Sequence, residues 1–321
     1  MKQLRTSNDL LTDPSALRSR FAEDGYLHLR NVVNLDVVAH AKRSVMAWFE
    51  ARDAIRVADG EPLWEGADIS SLYANPAGDG STKSPGLPTT RAWESLATHP
   101  SMKPLYELVL GEPGVVLPIG DYQFSWPGKP GTWNFIHQDG PYWPGLELFT
   151  CWIPLMNIDE KLGGIALVPG MHRDGSMLPD LVSGAKDARS IPNDRIPLES
   201  FARTDYAPGD LVIFHRFLPH SGLPNEHDRL RLSIDFRIRR RSAKSPVLGV
   251  LVAGDDGTCT ISADDGTRQT FEVSDSTLFI GPSFAIGYDS RALLGERVLV
   301  TESEGTALVI RQPFGYVPSV D

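Results

Sequence analysis

The chain has 321 residues, 41% apolar and 22% charged, enough for one large globular unit with an appendage or for two modest domains. A formal net charge of −10 argues against nucleic acid and anionic membranes as partners, and two distant cysteines, Cys151 and Cys259, read as buried thiols rather than a disulfide framework or a zinc site. No run approaches the roughly 18 apolar residues of a membrane span and the N-terminus has no signal-like apolar core, so a cytoplasmic protein is expected, as monomer or homodimer.

Asp13-Pro14-Ser15 opens a helix, with Asp13 as N-cap and Pro14 at the first helical position, and Gly25 closes it. A strand follows over 26–33. A second helix starts at Asn34 or Asp36 and carries Val37, Val38, Ala41, Val45 and Trp48 on one face. Residues 58–89 are rich in Gly, Pro, Ser and Asp and read as a long loop or lid. Helical pattern returns over 91–110, broken at Pro100, and ends at Gly111-Glu112-Pro113-Gly114.

Strand character then takes over, at 115–126, 133–139, 146–157 and 164–169, separated by Pro/Gly turns. Residues 173–200 form a second long polar loop, and strands resume at 200–206, 210–215 and 230–239. Many strands with few helices among them point to an antiparallel barrel or sandwich. Beyond Arg239-Arg240-Arg241 the chain holds short strands with two turns of one kind, Asp255-Asp256-Gly257 and Asp264-Asp265-Gly266. The expected division is a main domain over 1–244, with its β core at about 115–240, and a small β-rich appendage over 245–321. The appendage contains no histidine, which assigns it to packing, dimerisation or covering the site.

The chemistry centres on Asn134-Phe135-Ile136-His137-Gln138-Asp139-Gly140-Pro141-Tyr142-Trp143. In an extended strand residues i and i+2 share a face, so His137 and Asp139 aim together into one cavity. His220, at the close of the strand beginning at Asp210, supplies a third candidate ligand. Two neutral imidazoles and one carboxylate on one face suit a facial triad of a non-haem Fe(II) oxygenase; the same set could hold a catalytic zinc with a water. Farther on, Leu230-Arg231-Leu232-Ser233-Ile234-Asp235-Phe236-Arg237 alternates strictly. With its apolar face outward, Arg231 and Ser233 point inward, where a guanidinium and a hydroxyl suit the distal carboxylate of 2-oxoglutarate. Arg229 shares their parity and is the rival anchor, and His215 is a structural histidine or the rival ligand. Gln123, on a neighbouring strand, is a candidate hydrogen-bond partner of 2-oxoglutarate. Trp133 and Phe135 share the ligand face and, with Tyr142 and Trp143, are candidate walls of a substrate pocket.

The chain resembles the phytanoyl-CoA dioxygenase-like (PhyH) family of Fe(II)/2-oxoglutarate-dependent oxygenases. Phe21-Ala22-Glu23-Asp24-Gly25-Tyr26-Leu27 is similar to the family's opening helix-to-strand step, and His137-Gln138-Asp139-Gly140-Pro141-Tyr142-Trp143 to its metal motif. Gly163-Gly164-Ile165-Ala166-Leu167-Val168-Pro169-Gly170-Met171-His172-Arg173 is similar to its Gly-x-x-x-x-Pro-Gly-Ser-His block, with Met171 in the serine's place. Gly209-Asp210-Leu211-Val212-Ile213-Phe214, His220 and Arg231 complete the match over roughly 12–240. The family commonly has His-Gly-Ser-Gly-x-Asn at the distal ligand, where this chain has His220-Ser221-Gly222-Leu223-Pro224-Asn225.

The resemblance implies a mainly β, double-stranded β-helix (jelly-roll, cupin-like) core with N-terminal helices. It implies Fe(II) at His137, Asp139 and His220, with 2-oxoglutarate and O₂ as co-substrates and Trp152 lining the 2-oxoglutarate pocket. The expected reaction is hydroxylation of an unactivated C–H bond of a small-molecule metabolite, such as an intermediate of natural-product biosynthesis, with release of succinate and CO₂. Related halogenases carry a small residue where this chain has Asp139, which favours hydroxylation. Desaturation or cyclisation on the same scaffold, a zinc hydrolase and a non-catalytic jelly-roll binding protein are the alternatives.

Overall fold

The computed structural model describes residues 1–67, 91–128, 136–177, 190–255, 257–280 and 293–312. A short strand β1 (Lys2–Gln3) precedes helix α1 (Pro14–Asp24). Asp13 caps α1 by accepting the Ala16 N–H, and Gly25 ends it at φ 77°, a left-handed conformation that glycine reaches without strain. Strand β2 (Tyr26–Leu29) is shorter than the sequence suggests, and α2 (Leu35–Glu50) starts behind the N-cap Asn34. The stretch expected to be loop from residue 58 begins instead inside a hairpin, β3 (Ile55–Ala58) and β4 (Glu61–Trp64), turning on Asp59 and Gly60, both at positive φ. Helices α3 (Ala92–Ala97) and α4 (Met102–Leu110) flank the expected break at Pro100.

The β core follows as β5 (Gly114–Ser125), β6 (Phe149–Pro154), β7 (Gly164–Leu167), β8 (Ala202–Arg203), β9 (Leu211–His215), β10 (His220–Leu223) and β11 (Arg231–Arg240). They form two sheets of the double-stranded β-helix, one ordered β2-β9-β6-β11-β5 and one ordered β1-β8-β7-β10. Two expectations are corrected. His220 does not close the strand that starts near Asp210; that strand stops at His215, a turn intervenes, and His220 opens β10 against β7. The strand expected over 200–206 is two residues long, because a 3₁₀ turn at Leu198–Ser200 occupies its start.

Period-two patterning of β11 decides the layers. Leu232, Ile234 and Phe236 are almost fully buried on the face that packs with α2, α3 and α4, through Val38, Trp93, Leu96 and Tyr106. Each such side chain contributes about 1.5–3 kcal/mol of burial. Arg231, Ser233, Asp235 and Arg237 therefore face the barrel interior. On β5, Gly120 stands where the indole of Trp93 presses against the sheet. Beside it the β5–β11 register slips between Phe236 and Ile238, opposite Pro118, which has no N–H for the ladder.

The C-terminal segment folds as β12 (Val247–Gly254), β13 (Thr258–Ala263), β14 (Arg268–Glu272), β15 (Leu278–Ile280), β16 (Arg297–Ser303) and β17 (Thr306–Arg311) in one six-stranded sheet. Its alternation sends Leu278, Ile280, Leu299 and Val309 into a cluster with Leu117, Ile119, Tyr142 and Trp143 of the core. Val298, Val300 and Ile310 pack on its other face with Leu251, Ile261 and Phe271. No helix among the described residues is long and apolar enough to cross a membrane.

Candidate metal centre

His137 and His220 are brought together by the backbone. They form an antiparallel bridge in which each N–H donates to the other's carbonyl, at 3.0 and 2.9 Å. Their rings lie 4.1 Å apart between centroids. Asp139 is two residues on, where a 3₁₀ turn, Gly140–Tyr142, begins. One atom from each of His137, Asp139 and His220 falls within a 4.8 Å cluster. Asp139 Oδ1 is 3.7 Å from His137 Nε2 and 3.8 Å from His220 Nε2.

The second oxygen of Asp139 is already engaged. Thr150 on β6 donates to Oδ2, and Arg237 Nη2 on β11 lies 3.1 Å from it. Arg237 also holds Asp235, at 2.6 Å. Burial alone would push the Asp139 carboxyl up, but Arg237, the two imidazoles and Thr150 outweigh it and hold the carboxyl well below the usual range. Burial works against the Arg237 charge too, and Asp139, Asp235 and Asp121 overcome it. Burial lowers His220, whose Nδ1 sits 3.0 Å from the Leu218 carbonyl. That hydrogen bond puts the proton on Nδ1 and leaves Nε2 as a lone pair toward Asp139. Two imidazoles and an ionised carboxylate, with one carboxylate oxygen turned toward both Nε2 atoms, fit a divalent iron.

Arg231 is buried, with Nη1 donating to the Gly164 carbonyl at 2.9 Å and Nε unsatisfied. Burial brings it down to about 10, and among the described residues no carboxylate pairs with it. Its rival Arg229 lies toward the surface near Glu61 and His227. Ser233 is buried beside Arg231, its hydroxyl 3.3 Å from the Gln123 carbonyl. The Gln123 amide donates to Asp121 and Asp235, at 3.0 Å each. Trp152 stands across from Asp235, its ring edge-on to Tyr206 at 4.8 Å. The structure thus brings these four to the barrel interior with the histidines.

Tyr142 packs edge-on to His137 at 6.5 Å, and Trp143 is buried under the Arg311 guanidinium. Trp133 and Phe135 lie outside the described residues. His215 is away from the cluster, against His172 at 5.1 Å and Phe149 at 6.4 Å. Arg237 and Thr150 were not singled out by sequence reasoning. The inward parity of Arg237 was visible in the alternation of its strand; the parity of Thr150 follows from Trp152 two residues on.

The profile of the phytanoyl-CoA dioxygenase (PhyH) family matches residues 21–233. The chain belongs to this family. It is an oxygenase that uses Fe(II), with 2-oxoglutarate and O₂ as co-substrates. Similar proteins include the 1-deoxypentalenic acid 11-beta-hydroxylases of Streptomyces exfoliatus and Streptomyces arenae, each 28% identical over 247 residues, covering 73% of this chain and 84% of the relative. Among solved structures, EvdO2 from Micromonospora carbonacea var. aurantiaca is similar with a TM-score of 0.49, 19% identity, and coverage of 76% of this chain and 96% of that one. The epimerase SnoN from nogalamycin biosynthesis gives a TM-score of 0.48, 22% identity, and coverage of 72% and 86%.

Proposed function

We propose that this family member hydroxylates an unactivated C–H bond of a small-molecule metabolite, with His137, Asp139 and His220 as the iron ligands. The carrying observation is the division of labour on Asp139: Oδ2 is fixed by Thr150 and Arg237 while Oδ1 faces both Nε2 atoms. Bound iron, 2-oxoglutarate and O₂ supply the oxidising power, one oxygen atom going to the substrate and the other to succinate, with CO₂ leaving.

The chain's own residues bind and orient. Arg231 offers a desolvated guanidinium for the C5 carboxylate of 2-oxoglutarate, and Ser233 adds a hydroxyl beside it. Such an anion would compensate a buried charge that otherwise lacks a described acidic partner. Trp152 walls that part of the interior, and Gln123 steadies the Asp121–Asp235 carboxylates. Arg237 and Thr150 keep Asp139 ionised and aimed. Tyr142, Trp133 and Phe135 are proposed for the substrate side, close in sequence to the ligand pair, whereas Trp143, expected there too, is buried against Arg311 and the C-terminal sheet and is not.

The hydroxylase relatives support hydroxylation, and their named substrate makes small carboxylic acids such as 1-deoxypentalenic acid the first compounds to test. The test is an anaerobic titration of the protein with Fe(II) and 2-oxoglutarate, followed by a metabolite screen with O₂. The expected results are the visible charge-transfer band of a ferrous keto-acid chelate, succinate release, and a product heavier by one oxygen. A product lighter by two hydrogens would replace hydroxylation by desaturation or cyclisation. Absence of the band would remove the assignment.

A further inference from the structure

The six-stranded C-terminal sheet lies beyond the segment matched to the family, yet it meets the metal-site segment at three consecutive residues. The Arg311 guanidinium on β17 lies over the Trp143 ring, 3.9 Å from its centroid, with both side chains buried. Thr301 on β16 donates its hydroxyl to the Pro144 carbonyl at 2.7 Å. Leu308 fills the space over Gly145, where a Cβ would strike it. From here back to Asp139 the chain is stiff. Leu146 N–H bonds Trp143 O, Trp143 N–H bonds Gly140 O, and Tyr142 N–H bonds Asp139 O. Gly140 N–H is tied to the Arg216 carbonyl at 2.7 Å, and Tyr142 carries its ring to His137.

We propose that the C-terminal sheet is a functional part of the oxygenase site, clamping residues 143–145 so that Asp139 and His137 are held in position for the metal, with Arg311 and Thr301 as positioning residues. The inference rests on the reading of His137, Asp139 and His220 as iron ligands. The choice of residue supports a role beyond packing. Burying a guanidinium is costly, and burial together with the nearby Arg237 charge brings Arg311 down to about 9. A leucine would cover an indole without that cost. A planar cation held over the ring fixes the indole in position and plane, because the attraction is directed at the ring face. The two strands contribute different contacts to adjacent residues, so a shift of the sheet would be passed through the 3₁₀ turn to the ligand pair.

The experiment measures anaerobic Mn(II) uptake, read by electron paramagnetic resonance, with 2-oxoglutarate present and thermal melting recorded in parallel. The variants are Arg311→Met, Arg311→Lys and Thr301→Val, with Asp139→Ala as the ligand control. Ile261→Val, on the other face of the same sheet, controls for general destabilisation. Losing an outer partner of a metal ligand typically weakens metal affinity about 10- to 100-fold. The expected result is a loss of about 10-fold for Arg311→Met, a smaller one for Thr301→Val, partial recovery in Arg311→Lys, and none for Ile261→Val. Wild-type affinity in Arg311→Met and Thr301→Val would overturn the clamp, as would an equal loss in Ile261→Val at matched melting temperature. Should Arg311→Met fail to fold, Arg311→Lys and Thr301→Val decide by the same criteria. Undiminished uptake by Asp139→Ala, or none by the wild type, would overturn the ligand assignment itself and the clamp with it, an outcome distinct from failure of the clamp alone.

Discussion

Thr150 and Arg237 stand directly opposite each other on β6 and β11, and both bond the same oxygen of Asp139. One neutral and one charged donor therefore fix the rotation of a buried carboxylate and leave its other oxygen for a metal. Arg237→Met should weaken Fe(II) or Mn(II) affinity by about 10- to 100-fold, as expected for loss of an outer partner of a ligand. It also strands the Asp139 and Asp235 charges, so a stability loss of about 3–5 kcal/mol should accompany it. Thr150→Val, which keeps the shape and removes one hydrogen bond, should do less on both counts. Metal titration and denaturant melts of the two variants check the order.

Gly120 is a stability test of how the helices are laid on the sheet. A Cβ at this position would run into the buried Trp93 indole of α3. Gly120→Ala should cost about 1–3 kcal/mol by overpacking. Because the added methyl is on the outer face, the metal affinity should stay at its wild-type value. A melt and a metal titration on the same sample separate the two, and a large loss of metal binding would show that the helix layer is coupled to the site.

What the sequence made legible depended on whether local pattern carried the information. The inward face of β11 could be read because Leu232, Ile234 and Phe236 alternate with Arg231, Ser233 and Asp235 without interruption. The convergence of His137, Asp139 and His220 was legible from the family resemblance; strand parity does not carry it, because His137 makes only an isolated bridge and Asp139 has helical φ/ψ at the start of a 3₁₀ turn. The strand opened by His220 was missed because His220-Ser221-Gly222-Leu223 is short, glycine-containing and preceded by Pro219; its partner is β7, far away in sequence. The Ile55–Trp64 hairpin was hidden in a Gly- and Asp-rich stretch, although Asp59-Gly60 is a good turn signal. The role of Arg237 was not legible because it needs Thr150 across the sheet and Asp139 from a separate segment of the chain. Neither is a property of a single strand's pattern.

A pH dependence of stability should come from the His172–His215 contact. Burial lowers His215 to about 4, and the neighbouring His172, Arg216 and Arg240 add to that; burial lowers His172 as well. In the unfolded chain a histidine protonates near 6.5. Between about 6.5 and 4 the unfolded state therefore binds more protons at this position, so its contribution to stability is present above 6.5 and is lost as the pH falls toward 4. The melting temperature should drop over that window. His215→Gln should flatten the drop relative to wild type. An unchanged slope would place the acid sensitivity elsewhere.

Arg231 should be separable from the metal ligands by kinetics. Its guanidinium is buried, bonds Gly164 O, and has no described acidic partner, while the metal cluster is built from other residues. A hydrogen bond to a charged group contributes about 1.5–3 kcal/mol, so Arg231→Met should raise the KM for 2-oxoglutarate by about 10- to 100-fold. Mn(II) affinity without 2-oxoglutarate should change little. Arg231→Lys should recover only part of the loss, because a point charge cannot reproduce a two-pronged contact. If Arg231→Met instead abolished metal uptake and left the KM alone, the anchor would have to be sought among the other inward groups of the barrel. Relief of a buried cation with no described acidic partner should also make the apoprotein more stable in Arg231→Met than in wild type, a gain that saturating 2-oxoglutarate should reverse by stabilising the wild type alone.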